Sequence, residues 1–334
     1  MSFLGPIGHL MSNSGLENIL ETIFAKNSID HIMSGKIIYR VIKGHIIVDS
    51  VLNGLLLSKI FHDPISTIEK GNEMDSSNAT DMLYSKFEKL HEAMMGGGAM
   101  EEVLREPLDE LEKLLSAQKE DLQSSKMARF WLQYMSMVDI LKRYIKAERL
   151  GNHPMHLCSF ADLLKYLAAA GHNNYTKSGN IYLQQVHELE MTHPDVLYKF
   201  SNGLFVVRRS DRFWAGIPSD QVIEQCLMRN LKTSGGLTHG SGMNEEQRNV
   251  WTLSMPLCAS AHQAIQELTN TTSKSGEQHT EIGPSRISRD WKNTRLVAEF
   301  LQGRNPFEYG DVFCNIANGH AMHTHQSMLI MLQQ

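Results

Sequence analysis

Only one stretch of this 334-residue chain leaves helical periodicity for a strand pattern. Leu204-Phe205-Val206-Val207 is a run of β-branched and aromatic side chains, introduced by the turn-forming pair Asn202-Gly203. The other patterned segments repeat their apolar residues at helical spacing. Leu16, Ile19, Leu20 and Ile23 do so near the start, and Phe130, Trp131, Tyr134, Met137, Val138, Leu141 and Ile145 form a broad stripe over 126–149. The expected fold is mainly α with a small β component (α+β).

Breakers divide the chain. Residues 63–80, polar and rich in Asp, Ser and Asn, read as a linker between an N-terminal helical segment (1–62) and a main helical domain (81–319). Within the latter, helices are expected over 81–95, 99–123, 126–149, 159–170, 179–190, 256–269 and 287–302. Gly96-Gly97-Gly98 and Gly151 act as stops, and Asn244 with Gln247 forms a capping pair. A strand–helix unit covers 203–232, its helix running from Ile217 to Lys232 with Pro218 and Ser219 at the start. Residues 320–334 read as a tail.

Composition narrows the function classes. With 32 basic against 37 acidic residues the net charge is −5, so any nucleic-acid contact must come from a local patch. The four cysteines (Cys158, Cys226, Cys258 and Cys314) form no CxxC pair, which fits free thiols in a reducing, intracellular setting, nuclear or cytoplasmic. The N-terminus lacks a basic start followed by a continuous apolar run. Ile37 to Phe61 is the most apolar stretch, but Arg40, Lys43, His45 and Asp49 interrupt it at high cost in hydrocarbon. A buried helix, without a membrane partner, is the expectation.

The most suggestive constellation lies in 203–238. Were Ser219 to cap a helix, Asp220 and Glu224 would stand at i and i+4 on one face, and like charges so spaced repel. Mg²⁺ relieves such repulsion, and paired divalent ions support phosphodiester chemistry. Asp220 and Glu224 are thus candidate metal ligands and catalytic acids, with Arg208, Arg209 and Lys232 as phosphate-binding neighbours. The plainer account is an Asp in a first turn, and a Glu paired with Arg208 or Arg209. His320, His323 and His325 crowd the tail without a carboxylate or thiol to complete a metal site, and the SGGLTHGSG loop lacks a phosphate-loop ending.

Several strings carry a family resemblance. GHNNY (171–175), HPDV (193–196), FVVRRS (205–210), DQVIEQ (220–225) and GGLT (235–238) occur in that order within 147–238. FLQGRNPFEYGDVFCNIANG (300–319) and the opening MSFLGPIGHLMSNSGLENIL belong to the same pattern. Together they resemble a transposon-encoded family, present in many copies in invertebrate genomes. The resemblance implies an RNase H-like Asp-Asp-Glu transposase core interrupted by a large helical insertion. It puts the last carboxylate on Glu224, beside Asp220. It also implies a chain truncated at both ends, without the strand carrying the first catalytic Asp.

Two functional expectations follow. One is the inactive remnant of a transposase or nuclease, with DNA as ancestral substrate and Mg²⁺ as its cofactor if active. The other is a non-enzymatic scaffold that holds protein partners through amphipathic helices.

Overall fold

A computed structural model describes residues 4–68, 109–208 apart from 110, 111 and 114, 216–218, scattered positions between 244 and 264, 284–308 and 314–320. In chain order the elements are α1 (Leu4–Leu10), α2 (Leu16–Glu21), a 3-10 turn (Lys26–Ser28), α3 (Ile29–Met33), α4 (Ile38–Ile68) and α5 (Lys126–Leu150). There follow α6 (His153–Ala169), α7 (Asn173–Thr192), α8 (Pro194–Ser201), β1 (Val206–Arg208), β2 (Gly216–Pro218) and α9 (Pro284–Leu301). The fold is mainly α with a small β component, as the periodicity implies.

The chain divides into two compact units, and four of the helices (α5, α6, α7 and α9) pass from one to the other. The first unit comprises residues 1–139, 165–176 and 289–334, and the second 140–164 and 177–288.

In the first unit, α1, α2 and α3 are short helices whose apolar sides close on one another. Leu4, Ile7, Leu16, Ile19, Leu20 and Ile32 are all buried. Such close packing needs small residues at the crossings: a side chain on Gly8 would collide with the backbone of Met33, and one on Gly44 would lie 2.8 Å from the Leu20 side chain. Residues 314–316 join this group from the far end of the sequence. Ile316 N donates to Ser14 O at 3.0 Å, and Asn315 Nδ2 to Asn13 O at 2.7 Å.

Helix α4 places Val41, His45, Val48, Asp49, Leu52 and Leu56 on one buried stripe of helical spacing. Ile38–Ser58 is long and apolar enough to cross a membrane by length and composition, but half of that window is buried inside the protein. Of the polar interruptions read from the sequence, His45 and Asp49 lie on the inward face, while Arg40 is exposed and Lys43 half-buried. His45 and Asp49 are 1% and 2% exposed. α4 also continues six residues into the stretch expected to open the linker at Asp63, since Pro64 removes one main-chain bond without ending the helix.

Helix α5 begins where Ser125 Oγ accepts from Ala128 N at 3.2 Å. Its apolar stripe is fully buried at Phe130, Trp131, Tyr134, Met137 and Val138. The rings meet edge to face, Trp131 and Tyr134 at 5.5 Å between centroids. The Tyr134 hydroxyl and His45 Nδ1 share a hydrogen bond of 3.0 Å, while His45 Nε2 is buried without a partner. Burial holds the imidazole down at about 4, so the ring is neutral at pH 7. Burial, and then the charge of Asp49, push the Tyr134 phenol well above its ordinary range.

Several boundaries differ from the sequence reading for identifiable reasons. Helix α6 starts at His153 rather than 159, because Asn152 Oδ1 accepts from Met155 N at 3.0 Å and caps it. Helix α7 starts at Asn173 rather than 179, and α8, not anticipated, opens on Pro194 in its first turn. Ile217 and Pro218 belong to a strand, not to a helix start: β2 pairs antiparallel with β1, Val207 opposite Ile217. A strand needs a ladder partner, and Pro218 suits the edge of a two-stranded ladder because it has no N–H to leave unpaired. The expected helix at 81–95 and the glycine stop after it lie outside the described residues. So does the whole of Ser219–Lys232; of the capping pair, Asn244 is placed and exposed, and Gln247 lies outside the described residues.

Tyr134→Phe is expected to destabilise the protein by about 1–3 kcal/mol, since it leaves both nitrogens of a buried imidazole unpartnered. In a denaturation cycle with His45→Leu, the double variant should lose less than the two single losses combined. Strict additivity would show that the pair does not interact.

Candidate functional site

Of the residues expected to bind metal and phosphate, the structure places Arg208. It is exposed at the end of β1, opposite Gly216. Arg209, Asp220, Glu224 and Lys232 lie outside the described residues, as do His323, His325, Cys226 and Cys258. His320 is exposed, and Cys158 (exposed) and Cys314 (buried) carry free thiols.

The ground on which Arg208 stands is well defined. Helix α5 ends with Gly151 at φ +70°, and Asn152 N reaches back to Ala147 O at 2.9 Å. Helix α8 ends the same way at Gly203, φ +81°, with Leu204 N to Lys199 O at 3.1 Å. Both are left-handed helix stops that favour glycine. The two stops press together: a side chain on Gly203 would lie 3.0 Å from Gly151 O. A side chain on Gly216 would collide with the Glu148 carbonyl, and Arg149 Nη1 donates to Gly216 O at 3.5 Å. The hairpin is therefore seated on the last turn of α5 through backbone contacts that only glycine permits.

Beneath it lies a cluster of titratable groups. Tyr144 and Glu148 stand at i and i+4 on α5, His153 and His156 at i and i+3 on α6, on either side of the Gly151 turn. Glu148, His153 and His156 are 8%, 2% and 9% exposed. The imidazoles are walled by rings. His153 meets Phe200 and Phe205, each at 5.2 Å between centroids, and His156 meets Tyr144 at 5.0 Å and Phe205 at 5.2 Å. His153 Nε2 and His156 Nδ1 are buried without a hydrogen-bond partner.

Burial dominates the electrostatics. It holds the His156 imidazole down at about 4, helped by the charge His153 would carry, and it lowers His153 as well. It lifts the Glu148 carboxyl, against a hydrogen bond from the Tyr144 hydroxyl that pulls it down. Tyr144 itself is raised by burial first and by Glu148 second. At pH 7 the cluster therefore holds two neutral imidazoles and a dehydrated phenol–carboxyl pair. Among the described residues, no group of three or more His, Cys, Asp or Glu is placed to hold a metal ion.

Residues 1–328 match the model of a family described as a domain of unknown function, DUF8702. This chain belongs to the DUF8702 family. No curated protein and no solved structure matches it. The cluster that the structure brings together in this DUF8702 chain was not weighed from the sequence. The signal lay in the paired helical spacings flanking Gly151, 144/148 and 153/156, in a stretch read there as a helix end, its glycine stop and the start of a family string.

The two signs of pKa displacement predict a pH profile. His156 is depressed from 6.5 to about 4, so between those values the unfolded chain takes up a proton that the folded chain refuses. Stability should fall as pH drops through that window, by at most about 3 kcal/mol from this residue. Glu148, raised, works oppositely, its penalty growing as pH climbs past the ordinary carboxylate value. Thermal melts from pH 4 to 7.5 should show a shallower acid limb in His156→Gln. Glu148→Gln should gain stability at pH 7 and none at pH 4. Parallel curves for wild type and His156→Gln would mean that the imidazole titrates normally in the folded protein.

Proposed function

We propose that this DUF8702 chain is a transposon-derived helical protein that acts by holding a protein partner rather than by catalysis. One observation carries the reading. Between residues 191 and 204, Met191, Val196, Tyr198 and Leu204 face solvent, at 82%, 37%, 71% and 67% exposure. Helix α8, which lies in this stretch, has no buried residue at all, and Leu197 and Phe200 are only half covered. Large apolar side chains concentrated on one short helix and its flanks suit a contact surface. The partner chemistry that fits is an apolar helix face of another protein, the short α8 offering anchors at helical spacing. The seat of this segment is firm, since Gly203 closes α8 directly against Gly151.

The ancestral reading, Mg²⁺-assisted phosphoryl transfer on DNA by an RNase H-like core, is favoured by the exposed position of Arg208 on β1. It would use Asp220 and Glu224 as metal ligands, with Arg208, Arg209 and Lys232 on phosphate. Mg²⁺-dependent nicking that vanishes in Glu224→Gln would establish it.

For the scaffold reading, affinity capture from cells is compared between wild type, Met191→Glu/Tyr198→Glu and Asp220→Asn/Glu224→Gln. A protein enriched by wild type should be lost with the first double variant, by tenfold or more, and kept by the second. Equal recovery by all three chains would sink the assignment of this surface.

A further inference from the structure

Helix α9 has two opposed sides within the first unit. Val297 and Leu301 are fully buried, and Asp290 pairs with Lys43. Those three positions share one side of the helix. At about 100° per residue, Trp291, Arg295, Lys292 and Arg289 follow one another around the other side, through an arc of about 160°. All four are exposed, Trp291 at 71%. The helix rises about 9 Å from Arg289 to Arg295, so three cations and an indole occupy less than two turns.

A single exposed apolar residue needs no explanation by itself. An indole set among three cations calls for one, because each component answers a different part of the same ligand. Base faces stack on aromatic rings, and the backbone between bases supplies phosphates to Arg and Lys. We propose that this face of α9 binds single-stranded nucleic acid, with Trp291 stacking on a base and Arg289, Lys292 and Arg295 contacting neighbouring phosphates. Glu299 marks the end of the track. It accepts from Arg295 Nε at 3.0 Å, but the two side chains are 82% and 55% exposed, so solvent screens the pair and the rest of the guanidinium stays available.

Other anionic surfaces fit less well. A helix lying in a membrane interface needs a wide apolar face outward, and here Val297 and Leu301 point inward, leaving Ile287 and Trp291 as the exposed large apolar side chains of α9. An acidic protein would use the cations but give the indole no stacking partner. The chain as a whole is acidic, so such binding would be local, and its salt dependence would count only these contacts. The site shares no residue with 191–204 and stands or falls separately from the protein-partner reading.

The test uses the full chain and a fluorescein-labelled 15-nucleotide oligothymidylate, read by anisotropy from 50 to 200 mM salt. Saturable binding is expected. Trp291→Ala should weaken it by about 5- to 150-fold, while Trp291→Phe keeps most of it. Arg289→Ala/Lys292→Ala should reduce the slope of log affinity against log salt by about 1.4. Because all these side chains face water, the melts of the variants should match wild type, which separates lost binding from lost folding. Three results would overturn the proposal. They are no oligonucleotide binding, unchanged affinity in Trp291→Ala, and displacement by poly-glutamate or phosphatidylserine vesicles at equal charge.

Discussion

Helix α5 carries the constraint on which the rest hangs, because it must be buried along most of its length in two different settings. Its first half gives Phe130, Trp131 and Tyr134 to one unit, and its second half gives Tyr144 and Glu148 to the other. Burying an aromatic of this size is worth about 1.5–3 kcal/mol, so the first half is held chiefly by its buried rings. The second half is held differently. It ends in a glycine stop against which another glycine stop is pressed, and it accepts a hairpin strand onto its final carbonyls. Side-chain volume fixes the one end and main-chain proximity the other.

The two settings treat polar groups alike. Each contains imidazole that has surrendered water and stays uncharged, His45 against a tyrosine hydroxyl and His156 among rings. A dehydrated group of this kind lowers stability unless its geometry is met, so it restricts which arrangements of the helices are tolerable. Asp49 and Glu148 add the complementary problem of a carboxyl inside packing. The polar residues therefore define register where apolar ones alone would accept a slip of a turn.

How much of this was legible depends on what the signal was. The Phe130–Val138 stripe and the Gly151 stop read directly, because burial of one helix face imposes a period and a left-handed residue imposes glycine. The strand at 206–208 read directly too, but its partner did not. Gly216-Ile217-Pro218 is short and contains a proline, so local preference pointed to a helix start, while the deciding factor was the backbone of α5 lying within reach of Gly216. The candidate site divides in the same manner. Arg208 was singled out as one cation among several in a turn, and Asp220 and Glu224, the acids expected to act with it, fall outside the described residues. The Tyr144/Glu148 and His153/His156 pairs went unweighed, since nothing in a linear reading brings two helical spacings together across a turn. Trp291 and its cations likewise lacked a stated inward face until Val297 and Leu301 supplied one.

Asn315 and Asn13, joined by a 2.7 Å hydrogen bond, are 302 positions apart in the chain. A ribosome adding about 5–20 residues per second needs about 15 s, at its fastest, to travel between them. For that interval α1, α2 and α3 have emerged without residues 315–317, which close on Gly15 in the same unit. Synthesis thus delivers the second unit's segments whole before the first can shut. The early helices are the ones that a nascent-chain chaperone would meet open.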